Sequence, residues 1–333
     1  MTARGEIQRE APAVPASTAA TMGRRLLQNR AFLTLLIVAA VWIGASLASR
    51  GFGTIGHLRY LLELAAIIGV VAAGQTFVMI GGGIDLSVGA IITVSAVALP
   101  LLSSSADASG VSAVVLSLVI AGLTGLVNGA GVVYLRVHPM IMTLAMATFL
   151  QGALILLVGG SAVSVQNAAA RFLGNARPGG IPADLLVWIV VALVAIVVLR
   201  RTRFGARVYA LGANPLATAL SGVNVPATTL ALYAVSGVTA GLAGVLALGM
   251  NGQGYVGLGN PYVLTSIAAV VLGGTSILGG QGGYAGTIPG AVLLVTITGL
   301  ITVVNASPGW RSVLFGSLVL GLLLLSGREA RRR

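Results

Sequence analysis

The 333-residue sequence contains no cysteine and, although it carries 19 basic residues, no lysine. Without cysteine there is neither a disulfide framework nor a thiolate metal site. The two histidines, His57 and His138, lie far apart and make no metal-ligand spacing, so no metal site is expected. Without lysine the phosphate-binding loop Gly-x-x-x-x-Gly-Lys-Ser/Thr cannot occur anywhere in the chain. Any ATP chemistry therefore belongs to another polypeptide, and no cofactor is expected here. Charge is scarce as well, at 8% of residues against about 25% in soluble domains. A soluble protein of this length needs charge over most of its surface, so this surface must face lipid.

What is present is mainly apolar, at 57% of residues. Helices and closed barrels both satisfy their own backbone hydrogen bonds in lipid. Long apolar runs such as Leu185–Leu199 and Val313–Leu325 favour helices, because a barrel would show alternating segments of about ten residues. The fold class expected is all-α, a polytopic bundle of about ten spans, each near the ~20 residues that cross a bilayer. The approximate limits are 31–49, 60–80, 86–103, 111–135, 140–158, 184–199, 227–250, 262–278, 285–305 and 310–326. Residues 1–30 read as a disordered cytoplasmic tail, 31–326 as one membrane domain, and 327–333 as a basic cytoplasmic tail. No small-residue cleavage site follows the first apolar run, which reads as a retained anchor.

The net charge of +12 comes from 19 arginines gathered at the ends of apolar runs. That placement is explained by the positive-inside rule rather than by nucleic acid. With the N-terminus in the cytoplasm, 14 arginines fall inside: residues 4, 9, 24, 25, 30, 136, 200, 201, 203, 207, 328, 331, 332 and 333. Five fall outside: Arg50, Arg59, Arg171, Arg177 and Arg311. An even number of spans returns the C-terminus to the cytoplasm. Glycine, at 47 residues, lets helix backbones approach where lipid supplies no hydrophobic drive between helices. The Gly-xxx-Gly pairs Gly125–Gly129 and Gly237–Gly241 are expected to pack helices within one subunit.

Three stretches carry more information. In the first, Gly81, Gly82 and Gly83 end one helix, and Ile84-Asp85-Leu86-Ser87-Val88-Gly89 opens the next. Asp85 is expected to cap that helix through amides two or three residues on. The competing reading makes it a substrate or proton ligand, since an ionisable group at membrane depth needs a reason. The second is the polar loop 200–226. There Asn214-Pro215 supplies a cap and a first helical residue, and Leu216 and Leu220 share one face. Ser221-Gly222 supplies a left-handed stop. Such a two-turn helix suits docking in a partner's groove, or resting on lipid headgroups beside the arginines. The third is Leu272–Thr287, whose seven glycines include Gly273, Gly274, Gly279, Gly280, Gly282 and Gly283 and forbid one straight helix. A hinge or re-entrant break is expected, buried in protein or facing a water-filled cavity.

These strings, with Gly212-Ala213-Asn214 through Ser221-Gly222-Val223-Asn224-Val225, resemble the permease subunits of ribose-type monosaccharide ABC importers. The resemblance runs in order from about residue 30 to 326. The Gly82–Gly89 string is its most specific part, because related branched-chain amino acid permeases differ there. The resemblance implies a membrane homodimer, a cytoplasmic ATPase subunit holding ATP and magnesium, and a periplasmic or lipid-anchored sugar-binding protein. It also implies that loop 200–226 carries the helix coupling permease to ATPase, in the bacterial inner membrane. Members of that family usually place an acidic residue after the asparagine and a basic one near the helix end. Pro215 and Ala219 stand there instead, so Leu216 and Leu220 must carry more of the docking.

The expected function is thus the translocation subunit of an ATP-driven importer of a pentose or hexose. The alternatives are an ion-coupled secondary transporter and an ABC permease for another small solute such as a branched-chain amino acid. For ion coupling, Glu63 and Asp85 are the acids considered, and Glu63 is expected to pair locally with Arg59. No nucleophile–base pair or cluster of convergent acids supports an enzyme. Gln75, Asn128, Thr143 and Gln151, polar residues within spans, are candidates for the translocation path.

Overall fold

The computed structural model describes residues 30–49, 51–103, 110–303, 307, 309, 310, 313, 316 and 317. The N-terminal and C-terminal tails and most of the expected span 310–326 lie outside these residues. Twelve α-helices are described: α1 Arg30–Ala48, α2 Ile55–Ile80, α3 Val88–Leu102, α4 Val111–Tyr134, α5 Pro139–Val158, α6 Ala168–Asn175, α7 Ala183–Arg201, α8 Arg203–Ala213, α9 Pro215–Leu220, α10 Val225–Asn251, α11 Asn260–Leu272 and α12 Tyr284–Val303. An antiparallel ladder pairs β1 (Val163–Ser164) with β2 (Gln253–Gly254). Among the described residues, six helices (α2, α4, α5, α7, α10 and α12) are long and apolar enough to cross a membrane.

Contacts between segments distant in sequence sort the loops into two ends. At one, Gly280 N donates to Ile80 O at 2.8 Å, Tyr209 Oη to Gly282 O at 2.8 Å, and Thr34 Oγ1 to Leu272 O at 3.1 Å. At the other, Asn167 Nδ2 donates to Ser103 Oγ and Gly110 O, Arg177 pairs with Glu63, and β1 meets β2. Successive apolar helices run from one end to the other. The Glu63–Arg177 pair, at 3.0 Å, corrects the expected Arg59–Glu63 pair. A tertiary partner at the same end takes the carboxylate that an i,i+4 neighbour was expected to hold.

α10 lies at the centre, packed against α2, α3, α4 and α6. A Cβ on Gly237 would overlap the Ala121 carbonyl, and one on Gly125 the Tyr233 carbonyl. The Gly-xxx-Gly pairs are therefore spent inside the subunit, where they bring α4 and α10 backbone to backbone. Large buried side chains such as Ile67, Ile91, Ile92, Leu246 and Leu248 fill the adjoining core.

α3 and α11 are short. Their 15 and 13 residues span about 22 and 20 Å at ~1.5 Å per residue, less than the ~30 Å hydrocarbon layer. Irregular backbone precedes each, at residues 81–87 before α3 and 255–259 before α11. Gly259, just before α11, donates its amide to Thr93 Oγ1 of α3 at 3.0 Å, and a Cβ there would strike Gly89 O. α11 ends at Leu272, six residues before the expected limit of 278, because Gly273 and Gly274 terminate it.

Candidate functional site

Each of the three informative stretches ends a helix in the same way. After α2, Gly83 N donates to Val78 O at 2.9 Å and Gly82 N to Met79 O at 3.0 Å, with Gly82 left-handed at φ 87°. After α9, Val223 N donates to Thr218 O and Gly222 N to Ala219 O, with Gly222 at φ 79°. Gly274 repeats the pattern after α11, bonding back to Val271 O. These paired bonds satisfy the last carbonyls of each helix, and the left-handed residue between them favours glycine.

Beyond Gly83 the chain turns inward to Asp85, which is fully buried. Its Oδ1 accepts from Ser87 N at 2.9 Å and Ser87 Oγ at 2.6 Å. Its Oδ2 accepts from Ser236 Oγ of α10 at 2.7 Å. Asn128 of α4 donates Nδ2 to Ser87 Oγ at 2.8 Å. Leu86 N donates to Thr143 Oγ1 of α5 at 3.1 Å. The formal N-cap of α3 is Ser87, which makes no side-chain cap bond. Asp85 therefore supports the helix start from two residues away and reaches across to α10. One short break thus ties α2, α3, α4, α5 and α10 together. Buried polar groups in such a network specify one arrangement when satisfied and are costly when not. Tyr233 Oη and Asn128 Oδ1 lack partners and are buried beside it; a Cβ on Gly83 would come 2.6 Å from Tyr233 Oη.

The break does not stand alone. A Cβ on Gly212, near the end of α8, would overlap Ile80 O and crowd Gly280 N. Gly279 in turn lies against Gly82, and Gly280 against Ala213. The end of α2, the end of α8 and the Gly279–Gly283 turn therefore meet backbone to backbone. Tyr209 braces the same junction through Gly282 O. Burial raises the Tyr209 phenol above its ordinary range, against the opposing pull of Arg200, so its hydroxyl remains a donor at neutral pH.

α9 follows directly. Asn214 Oδ1 accepts from Ala217 N at 3.0 Å, as an N-cap should, and Pro215 opens the helix. Leu216 and Leu220 are 72% and 81% exposed, and Thr218 between them is buried. The helix thus presents two unpartnered leucines at the end of the bundle that holds Ile80 and Gly280.

Of the four polar residues named as path candidates, Gln75, Asn128 and Thr143 are fully buried within the subunit. Gln151 is half-exposed and donates Nε2 to Asn260 Oδ1 at 3.0 Å, at the start of the short α11. Sequence reasoning missed Asn260, Ser236 and Tyr209, and assigned no contact to Gly212, because their roles depend on partners far away in the chain. It also missed Asp184, which is buried with Oδ2 unpartnered while Oδ1 accepts from Leu185 N. Its position at a span start was the available signal.

A family model described as the branched-chain amino acid transport system / permease component matches residues 58–324. The chain belongs to this permease family. The ribose import permease protein RbsC of Escherichia coli K12 is 32% identical over 324 residues, covering 94% of this chain and 99% of its own. The fructose import permease protein FrcC of Rhizobium meliloti is 31% identical over 86% of this chain and 82% of its own. The D-allose transport system permease protein AlsC of E. coli K12 is 29% identical over 88% of this chain and 90% of its own. No solved structure gives a significant match. The permease is a multi-pass protein of the bacterial inner membrane.

Proposed function

We propose that the permease is the translocation subunit of an ATP-driven importer of a small sugar, energised by a separate cytoplasmic ATPase that docks on α9. A second copy of the chain and a periplasmic or lipid-anchored binding protein complete the machine, and both termini lie in the cytoplasm. The observation that carries this reading is α9 itself: a helix with its own cap and stop, holding two exposed leucines in a loop beside Arg200, Arg201, Arg203 and Arg207. A chain that cannot form a phosphate-binding loop needs such a contact to be driven by ATP. The full-length likeness to import permeases for ribose, fructose and D-allose points to a sugar as cargo. The ion-coupled alternative has less support, because both oxygens of Asp85 are already occupied by serine and backbone donors.

The test replaces Leu216 and Leu220 with aspartate. Burying a leucine stabilises by about 1.5–3 kcal/mol, and about three-quarters of each side chain is available. The pair then contributes roughly 2–4.5 kcal/mol, and its loss weakens docking about 30- to 2000-fold. Buried aspartates add a desolvation cost. Co-purification of the ATPase with the variant is expected to fall to background at membrane abundance matched to wild type. Undiminished co-purification with normal ATP-driven uptake would refute the reading. Poor membrane insertion with intact ATPase binding would show instead that α9 rests on lipid.

A further inference from the structure

We infer that the backbone junction of Gly212, Ile80 and Gly280 is the joint that carries motion of α9 to the α2–α3 break, and that Tyr209 positions it. The inference rests on the reading of α9 as the ATPase contact and goes beyond it, to what moves when α9 moves. Only two residues separate Gly212 from Pro215, the first residue of α9. At Gly212 the chain lies against Ile80 O, which also accepts from Gly280 N at 2.8 Å. No side chain intervenes at this point, so there are no rotamers to absorb a shift of α8. Two residues beyond Ile80 is Gly82, itself packed on Gly279, and three residues further is Asp85, bonded to α10 through Ser236. A displacement at α9 therefore reaches the break through main chain and hydrogen bonds alone. Tyr209 Oη, bonded to Gly282 O at 2.8 Å, holds the turn two residues past Gly280, and its hydroxyl bonds neither α9 nor Asp85. Coupling of this kind has a physical warrant only if the element at its far end takes up two arrangements that both sites bias, and that is measurable.

The absence of native cysteine makes the measurement direct. Ile84, half-buried in the break, is replaced by cysteine, and its alkylation by a maleimide is timed in the permease–ATPase complex without nucleotide and with ATP plus vanadate. The rate is expected to change several-fold between the two states. In I84C carrying Gly212→Ala, whose Cβ must push α8 off Ile80, the ratio of rates is expected to collapse toward one, while ATPase co-purification and basal ATP hydrolysis stay within about twofold. I84C carrying Tyr209→Phe is expected to lose part of the ratio, and this mild variant decides the matter if Gly212→Ala fails to fold. An unchanged ratio in the variants, or no nucleotide dependence in I84C alone, overturns the joint. A loss that tracks reduced co-purification also overturns it, assigning the junction to folding. Absence of any co-purifying ATPase from the otherwise wild-type chain is a different result, and it sinks the reading of α9 instead.

Discussion

Replacing Asp85 decides between a carboxylate that holds the bundle together and one that serves as a ligand. Asp85→Ala and Asp85→Asn both remove the buried carboxyl group, so the cost of burying it cancels in their comparison. What differs is hydrogen bonding. In Asp85→Asn the side-chain oxygen still accepts from Ser87 N and Oγ, and the new amide donates to Ser236 Oγ, whose hydroxyl can rotate. In Asp85→Ala all three partners lose their bond. A neutral hydrogen bond contributes roughly 0.5–1.5 kcal/mol, and a buried donor left unsatisfied costs about 1–3 kcal/mol. The serines recover part of this by bonding the preceding turn of their own chain. The alanine variant is therefore expected to be less stable than the asparagine variant by about 2–4 kcal/mol, a ratio of roughly 30 to 1000 in unfolding equilibrium constants. Unfolding the purified chain by SDS titration from mixed micelles, followed by helical circular dichroism, measures the difference. ATP-driven uptake in the same strains completes the experiment, with Asp85→Asn expected to retain it. Equal stability of the two variants refutes the network. Normal stability of Asp85→Asn with no uptake refutes the structural assignment and makes Asp85 a ligand.

Three further outcomes are expected. Gly237→Ala must push α10 away from the Ala121 carbonyl and should destabilise by about 1–3 kcal/mol, whereas Gly152→Ala, with nothing within 4 Å, should be neutral; SDS unfolding of both checks this. Among cysteine variants at Gln75, Asn128, Thr143 and Gln151, the one at Gln151 should react fastest with a water-soluble thiol reagent, and equal unreactivity of all four in every nucleotide state would remove them from the path. Glu63→Gln should change stability by less than about 1 kcal/mol, because Arg177's side chain is 59% exposed although that of Glu63 is 14% exposed, and ion pairs open to solvent on one side contribute little; a larger loss in the same titration would show a coupled network there.

Much of the bundle is legible because lipid imposes a simple rule on composition. Apolar runs near 20 residues place α2, α4, α5, α7, α10 and α12 within a few residues of their observed limits. Caps and stops read well where one residue does the work, as at Asn214 and Gly222. Limits slip where local chemistry overrides hydropathy: α2 begins at Ile55 because Thr54 accepts from His57 N at 3.3 Å. α6 went unnoticed because Ala168–Asn175 is short and mixed; its start rests on Asn167, which accepts from Ala170 N at 2.9 Å. The site was legible as three separate stretches and illegible as one object. Nothing periodic in a sequence announces that Gly212 lies on Ile80, since a residue without a side chain leaves no amphipathic trace of what it touches.

That silence is also the physical reason for the glycines. In a soluble protein two elements are held in register by side chains that interlock, and moving one repacks many rotamers. Within a bilayer the association of helices depends on close approach and on hydrogen bonds, and the permease carries both to the backbone at the end where α9 emerges. The Gly125–Tyr233 and Gly237–Ala121 approaches hold α4 against α10, making the Asp85 network on that side rigid. The Gly212–Ile80–Gly280 junction joins the same network from the other side. A junction of backbone has few internal degrees of freedom, so it passes displacement on instead of absorbing it. Past that point Asp85, Ser87, Asn128 and Ser236 gather into one hydrogen-bonded cluster. There Asp85 and both serines are hydrogen-bonded, and any second arrangement must exchange those bonds. The break is thus the place in this chain where a mechanical input can become a discrete change of state.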